Sequence, residues 1–158
     1  MSDSRTGVKD PLVSFAFKVE FDGAPVALVS GVDGLSKEVE MIEYRDAATP
    51  NMPHFRQGRR KAPRITLKRA YLNGGNTNKF FEWIAEADNG EVKAKNVTIT
   101  VGQFGPSGIE ERDFGGMNAW VLSQCKPAKW SISSLDGTSN SLIFETIELV
   151  CEEVRLSK

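Results

Sequence analysis

The sequence predicts a mainly β protein with one helix packed against a sheet. Most of the chain alternates apolar and polar residues with a period of two, which is typical of strands with one buried face. Only one segment, near residue 80, repeats its apolar residues at helical spacing. The chain has 158 residues, of which 40% are hydrophobic and 26% charged. These values fit a single globular domain over residues 1–158. An N-terminal arm is expected over 1–12.

The first half predicts four strands. Every second residue from Phe15 to Phe21 is a large hydrophobe, and Asp22-Gly23 is the strongest short hairpin signal. A returning strand is expected over 26–29. Two further strands are predicted over 37–45 and 64–71.

A long irregular loop is predicted over 46–62, between the third and fourth strands. Pro50, Pro53 and Gly58 interrupt it, and loops of this length are usually functional or disordered. If Tyr44 lies opposite Arg64, Glu40 faces Lys68 as an opposite-charge pair. The other face of this predicted hairpin would then be apolar and point to the core. It consists of Val39, Met41, Ile65 and Leu67.

The helix is predicted over 76–89. Asn76 or Thr77 can cap its start, and Asn89-Gly90 supplies a left-handed stop. Its apolar face consists of Phe80, Trp83, Ile84 and Ala87. Strands follow over 96–103, 117–125, 129–133 and 142–155, with a turn at 105–108.

Charge is segregated along the chain, although 20 basic residues nearly balance 21 acidic ones. No acidic residue lies between Asp46 and Glu82, and this window includes Arg56, Arg59 and Arg60. Three interpretations stay open: a nucleic-acid arm, a contact with acidic surface of another copy, or a solvated loop.

Catalytic chemistry is not predicted. His54 is the single histidine, no G-x-S-x-G elbow is present, and Cys125 and Cys151 lack metal-site spacing. We therefore expect no enzyme activity, no cofactor and no metal. The two cysteines are expected to be free thiols in a reducing compartment. No apolar run approaches a membrane span, and no secretory signal is visible.

The ordered set of motifs resembles the tail tube proteins of contractile phages and phage-tail-like injection systems. The residues that carry this resemblance extend over nearly the whole chain. They include Phe15–Gly23, Val29–Ser36, Glu43–Asp46, Ile65–Arg69, Phe81–Ile84, Lys95–Thr100, Asn118–Trp120, Pro127–Trp130 and Ile143–Leu149. The arginine-rich loop and the long spacing over 121–126 depart from the family pattern.

The resemblance implies a two-sheet β-sandwich or barrel-like subunit with one flanking helix. Six copies would form a ring, complete one continuous β-barrel, and stack into a hollow conduit for DNA or effector cargo. The implied partners are other copies, a contractile sheath, baseplate or hub proteins and a tube terminator, with no stable nucleic-acid binding. The protein would be made and assembled in the bacterial cytoplasm and then lie inside the sheath of a virion or particle.

Two sets of site residues follow as hypotheses. The segment 46–62 is expected to reach the adjacent ring. Its contact residues would be His54, Arg56, Arg59, Arg60 and Lys61. The residues expected to face the lumen are Glu38, Glu40 and Lys68.

Two alternatives stay open beside the tube. One is a hexameric ring protein of type six secretion that carries effectors. The other is a monomeric ligand-binding β-sandwich, which would need an exposed aromatic platform. Trp120 and Trp130 are available for that role, but their positions in strands favour the core.

Overall fold

The structure is a computed structural model that describes residues 17–25, 29–71, 79–105, 108–111, 119–138 and 140–157. Its main element is a curled sheet of nine strands. Its strands are β1 (Phe17–Phe21), β2 (Ala24–Pro25), β3 (Val29–Asp33), β6 (Arg64–Ala70), β7 (Lys95–Gly105), β8 (Gly108–Glu111), β9 (Ala119–Ile132), β10 (Phe144–Val150) and β11 (Glu153–Ser157). A separate two-stranded sheet contains β4 (Glu38–Arg45) and β5 (Pro53–Lys61). The helix α1 (Lys79–Ala85) continues as a 3₁₀ turn over Glu86–Asn89.

One long strand, β9, belongs to both halves of the curled sheet. The strand order is β2-β1-β7-β9-β10-β6-β3, with β11 also on β9 and β8 also on β7. Residues 119–125 of β9 pair with β7, and residues 126–132 pair with β10. At the crossing, Gln124 takes a positive φ of 53°. The sheet therefore divides into a five-stranded half (β2, β1, β7, β9, β11) and a four-stranded half (β9, β10, β6, β3).

The core lies between the inner faces of the two halves and α1. The five-stranded half contributes Val19, Phe21, Val97, Ile99 and Leu122, and the four-stranded half contributes Ile65, Leu67, Ile147 and Leu149. Phe80 and Trp83 of α1 close this cluster. The Trp83 indole Nε1 donates a hydrogen bond of 2.8 Å to the carbonyl oxygen of Lys93. A helix packed against the sheet, as predicted, is confirmed.

Two of the predicted glycine turns are confirmed, and the central residues of the third, 106–107, lie outside the described residues. Asp22 and Gly23 have φ values of 48° and 81°, and they connect β1 to β2. Positive φ at both central residues is the requirement of a type I′ hairpin turn. Gly90 ends the 3₁₀ turn with a φ of 95°. The predicted N-terminal arm, Phe15, and residues 26–28 and 76–78 lie outside the described residues.

The prediction of an irregular segment over 46–62 is wrong for residues 53–61, which form β5. Pro53 is the first residue of that strand, where a missing N–H is tolerated. Gly58 lies in a bulge, where the register shifts between Val39 and Met41 of β4. Two of the three residues expected to interrupt the chain, Pro53 and Gly58, therefore occupy positions that a strand accepts.

The predicted register between the third and fourth strands is also wrong. Tyr44 lies opposite His54, and Lys68 lies opposite Thr146 of β10 and Gly31 of β3. Because β6 is paired on both sides, it has no free edge for β4. Met41, predicted to face the core, is exposed.

The predicted strands over 117–125 and 129–133 are one strand from residue 119 onward.

The expectation of two free thiols is wrong, because Cys125 and Cys151 form a disulfide. Val150 lies opposite Lys126, so the antiparallel register brings the next residue, Cys151, against Cys125 with a Cα–Cα distance of 4.0 Å. Sequence spacing does not reveal this cross-strand neighbour.

Candidate assembly interface

The hairpin of β4 and β5, here called the arm, projects from the curled sheet. It continues the ribbon of β3 and β6, whose last pair is Asp33 with Thr66. After an interruption, pairing resumes at Glu38 with Lys61. Eight residues of β4 span about 26 Å at about 3.3 Å per residue. The arm is therefore long enough to contact a neighbouring molecule.

Two contacts hold the root of the arm, which is the place near Gly34 and Pro63 where the arm joins the curled sheet. Gly34 has a φ of 81°, and a Cβ there would overlap the carbonyl oxygen of Arg64. The carbonyl oxygen of Pro63 accepts a hydrogen bond of 3.0 Å from the backbone N–H of Cys151. The first contact requires glycine, and the second attaches the root to the sheet beside the disulfide.

A salt bridge joins Glu38 and Lys61, which form the cross-strand pair of the arm next to its root. The Lys61 Nζ donates to the Glu38 carboxylate at 2.6 Å. This hydrogen bond, together with the charge of Glu38, raises the pKa of the exposed Lys61. A cleft of about 210 Å³ separates this root from the edge strand β11.

The arm exposes apolar side chains that the sequence analysis did not select. They are Met41, Ile42, Tyr44, Met52 and Phe55. Met52 and Phe55 were visible as apolar residues inside a segment dominated by arginine and proline, whereas the other three lie in the strand predicted over 37–45. A two-stranded hairpin with its apolar side chains in water is only marginally stable. The arm therefore has the composition of a surface that is covered in an assembly.

The structure places all five predicted inter-ring residues on β5. The His54 ring stacks on Tyr44 with centroids 5.5 Å apart, and its Nε2 lies 3.1 Å from the Thr49 Oγ1. Lys61 is held by Glu38. In the part of the chain that the structure describes, no ion pair involves the three arginines. These are Arg56, Arg59 and Arg60.

The predicted lumen residues do not come together. Glu38 and Glu40 lie on the arm, whereas Lys68 lies on β6. Lys68 belongs to what we call the open face, the side of the four-stranded half that points away from the core. Half-buried or exposed polar residues cover it, including Arg64, Thr66, Lys68, Lys126, Lys129, Ser131, Thr146 and Glu148.

Several strands leave an edge without a partner among the described strands. Within the described strands, β11 pairs with β9 alone and β3 pairs with β6 alone. In β11 the Arg155 guanidinium donates to Glu153 at 2.9 Å, a bond that lowers the pKa of Glu153. Unpaired edges are a liability in a monomer, but another strand can pair with them.

The described residues offer little for catalysis. No group of three or more His, Cys, Asp or Glu side chains in the described ranges can hold a metal ion. Trp120 and Trp130 pack against the core and form no exposed platform. None of the helices in the described part is long and apolar enough to cross a bilayer. An exposed arm, open strand edges and a polar sheet face are instead typical of a structural subunit that assembles with other chains.

Comparison with known protein families identifies the kind of structural subunit. A sequence model of the T4-like virus tail tube protein gp19 family matches residues 13–155, so the chain belongs to this family. No curated protein sequence matches the chain. The family match favours the tail tube over both the type six ring and the ligand-binding module.

Solved structures agree with this assignment. The chain is similar to one in the PVC sheath–tube complex of an extracellular contractile injection system in the extended state. Identity is 25% and the TM-score 0.82, covering 99% of this chain and 98% of that one. A chain of the anti-feeding prophage tube-terminating cap is 26% identical, with a TM-score of 0.81 and coverage of 100% and 99%. The PVC sheath/tube terminator, at 23% identity, TM-score 0.77 and coverage of 96% and 99%, shares the fold. The protein is a tail tube protein of the contractile injection type.

Proposed function

We propose that six copies of this chain form a ring, and that rings stack into a hollow tube that conducts cargo. The observation that carries the proposal is the arm, because its apolar side chains are exposed and its three arginines form no ion pair within the described subunit. A surface of this composition is stabilised when another molecule covers it. The role is structural rather than catalytic.

The arm is proposed to dock on the adjacent ring. Arg56, Arg59 and Arg60 supply cations that acidic surface of another copy can neutralise, and complementary potentials fix register between subunits. His54 and Lys61 are proposed to belong to the same contact. Because both are already bound within the arm, we expect them to hold its shape and the arginines to supply the attraction.

Ring closure is proposed to use the strand edges. An edge strand of one copy can pair with an edge strand of the next, and a head-to-tail contact forms a closed ring when the rotation permits. The four-stranded half has free edges at β3 and at residues 126–132 of β9, within the described strands. Repetition of this half around the ring would give a continuous β-barrel.

The open face is proposed to line the lumen. Lys68 lies on this face, and Glu38 and Glu40 lie where the same ribbon continues into the arm. We propose that all three point toward the lumen. A polar, hydrated wall suits a conduit, since passing molecules meet no large apolar patch to bind.

The proposed partners are a contractile sheath outside the tube, a baseplate below it and a terminator above it. Supporting this, similar chains come from a PVC sheath–tube complex and an anti-feeding prophage cap. DNA or effector proteins would pass through without stable binding. Assembly would take place in the bacterial cytoplasm, and the mature tube would lie inside its sheath.

Electron microscopy of the purified chain tests the proposal. We expect rings and tubes from the unchanged protein. The variant Arg59→Glu/Arg60→Glu should form rings but few tubes, because it reverses two unpaired cations of the arm. Lys93→Glu changes an exposed lysine outside the arm and serves as the control. A monodisperse monomer from the unchanged chain would contradict the assembly, and normal tubes from the double variant would contradict the arm contact.

A further inference from the structure

We infer that Phe81 of one copy packs on Val29 and Val32 of the next copy and so closes the ring. The contact lies at what we call the seam, where β3 of one copy meets residues 126–132 of β9 of its neighbour. The inference rests on the proposed function, in which these two free edges pair, and it adds the side chains that join them. Three observations support it: burial across the four-stranded half, the charges at its edges, and the position of Phe81.

The core side of the four-stranded half is fully buried in its middle and half-open at both edges. One row of facing residues begins at Trp130 on β9 and ends at Val32 on β3. Its middle members, Ile147 and Leu67, are 0% exposed, whereas both end members are half-buried. Val29, which also packs against the core from β3, is half-buried as well. Each edge therefore ends in apolar side chains that a further strand would remove from water.

The adjacent row lies on the open face and ends in opposite charges. It begins at Lys129 on β9, passes through Glu148 and Thr66, and ends at Asp33 on β3. The Asp33 carboxylate accepts a hydrogen bond of 2.8 Å from the backbone N–H of Gly34. Neither Lys129 nor Asp33 forms an ion pair within the described part of the subunit. Two copies joined edge to edge would therefore bring a cation and an anion together on this face.

Strand direction permits this junction. The four strands β9, β10, β6 and β3 are antiparallel to their neighbours, so the first and the last run in opposite directions. When a rotation about the ring axis relates the copies, β3 of one copy would therefore meet β9 of the next as an antiparallel partner. Side chains alternate between faces, so a slip of one residue would place apolar edge residues against charged ones. The pairing that keeps the core side continuous is thus the favourable one.

Phe81 lies at the β9 side of the seam, on the core side of the sheet. The helix α1 buries Phe80 and Trp83 but leaves Phe81 49% exposed. The Phe81 ring packs edge-on against Trp130, with centroids 5.0 Å apart. An aromatic ring already held by a neighbour loses little conformational freedom when a partner covers it, which is typical of residues that dominate an interface.

The two valines of β3 offer a matching surface. Neighbouring strands lie about 4.8 Å apart, so pairing at the seam would bring Trp130, with Phe81 packed on it, next to β3. An aromatic ring beside a β-branched residue of the adjacent strand is a favourable cross-strand pair. The seam would thus be joined on its open face by Lys129 and Asp33 and on its core side by Phe81 and the valines.

Photochemical cross-linking tests which residues Phe81 contacts. Phe81 is replaced by the photoreactive analogue p-benzoylphenylalanine, and assembled rings are irradiated. We expect a ladder of covalent oligomers on a denaturing gel, with position 81 joined to the tryptic peptide over residues 19–37, which contains β3. The same analogue at Lys93, an exposed position outside the seam, is the control and should not label that peptide between copies. Rings that are present by microscopy but carry no cross-link from position 81 to β3 of another copy would overturn the inference.

Variants measure how much the contact contributes to ring formation. Phe81→Ser should raise the protein concentration needed for rings by about tenfold or more, because truncating a central aromatic contact weakens an interface by this order. Phe55→Ser, on the arm, should leave ring formation unchanged, and so should Leu156→Ser, which changes an exposed residue of β11. Mass photometry over a dilution series measures all three.

Two results separate the inference from the proposed function. If the unchanged chain forms rings and Phe81→Ser forms them at the same concentration, the inference is wrong while the ring remains. If the unchanged chain forms no rings at any concentration, the proposed function itself is contradicted.

Discussion

Arg69 and Glu145 form a buried ion pair in the core, directly opposite each other on β6 and β10. Their exposed fractions are only 3% and 1%. Glu145 also accepts a hydrogen bond of 3.0 Å from the Trp130 indole, and the Arg69 guanidinium lies 4.2 Å from the centroid of the Phe80 ring. The pair therefore joins the four-stranded half to α1 by charge as well as by apolar packing.

Removing one partner of this pair should destabilise the subunit strongly. Arg69→Met leaves Glu145 buried and uncompensated, at an expected cost of about 3–5 kcal/mol in the free energy of unfolding. The control is Arg64→Met, which breaks the exposed pair with Glu148 and should cost about 0–1 kcal/mol. Urea titration followed by tryptophan fluorescence measures both. Equal losses from the two variants would show that burial does not determine the cost.

Gly34 should be the least replaceable of three comparable glycines. Gly34→Ala introduces both a left-handed backbone and an overlap with the Arg64 carbonyl. Gly90→Ala introduces only the backbone strain, about 1–2 kcal/mol, because nothing lies near its Cβ position. Gly137→Ala introduces neither and should be close to neutral. Thermal unfolding should rank the three in that order, and a Gly34 variant as stable as the Gly90 variant would exclude the overlap.

The disulfide should make the stability of the subunit depend on reductant. Reduction of Cys125–Cys151, or the double variant Cys125→Ser/Cys151→Ser, should lower the free energy of unfolding by about 2–4 kcal/mol. Unfolding of the unchanged chain is measured with and without dithiothreitol. The double variant should not respond to the reductant. Two alkylated thiols in the denatured, unreduced protein would show that the bond is absent.

An apolar residue of the arm should affect assembly far more than folding. Phe55 is 64% exposed in the subunit, so Phe55→Ser should change the free energy of unfolding by less than about 0.5 kcal/mol. If the arm docks as proposed, the variant should nevertheless raise the concentration at which tubes form, because docking would no longer bury the Phe55 ring. Leu135→Ser is the matched control, since Leu135 is 70% exposed but lies outside the arm. Light scattering against protein concentration measures both, and identical curves would exclude a role for Phe55 in docking.

Local patterns predicted the parts of the fold that depend on local chemistry. The alternation that ends at Phe21, the Asp22-Gly23 turn and the Asn89-Gly90 stop were all readable, because period and positive φ are properties of short segments. Strand pairing was not readable in the same way. Placing Tyr44 against Arg64 ignored that β6 already has neighbours on both sides, which is a property of the whole sheet.

The candidate site was predictable in outline but not in detail. The basic character of residues 56–61 was visible in the sequence, and all five predicted contact residues do lie on β5. The salt bridge between Lys61 and Glu38 could not be predicted, because it depends on a strand register that the alternation of apolar and polar residues did not define. The same dependence on register concealed the disulfide.

The marginal stability of the arm has a consequence for how tubes grow. A two-stranded hairpin loses part of its docking free energy to ordering when it first meets a surface. If the arm docks between rings as proposed, a free subunit gains little from the first contacts, whereas a subunit joining a finished ring is fixed at many contacts at once. We therefore expect polymerisation to start slowly and to elongate quickly, with a preformed template setting where each tube begins.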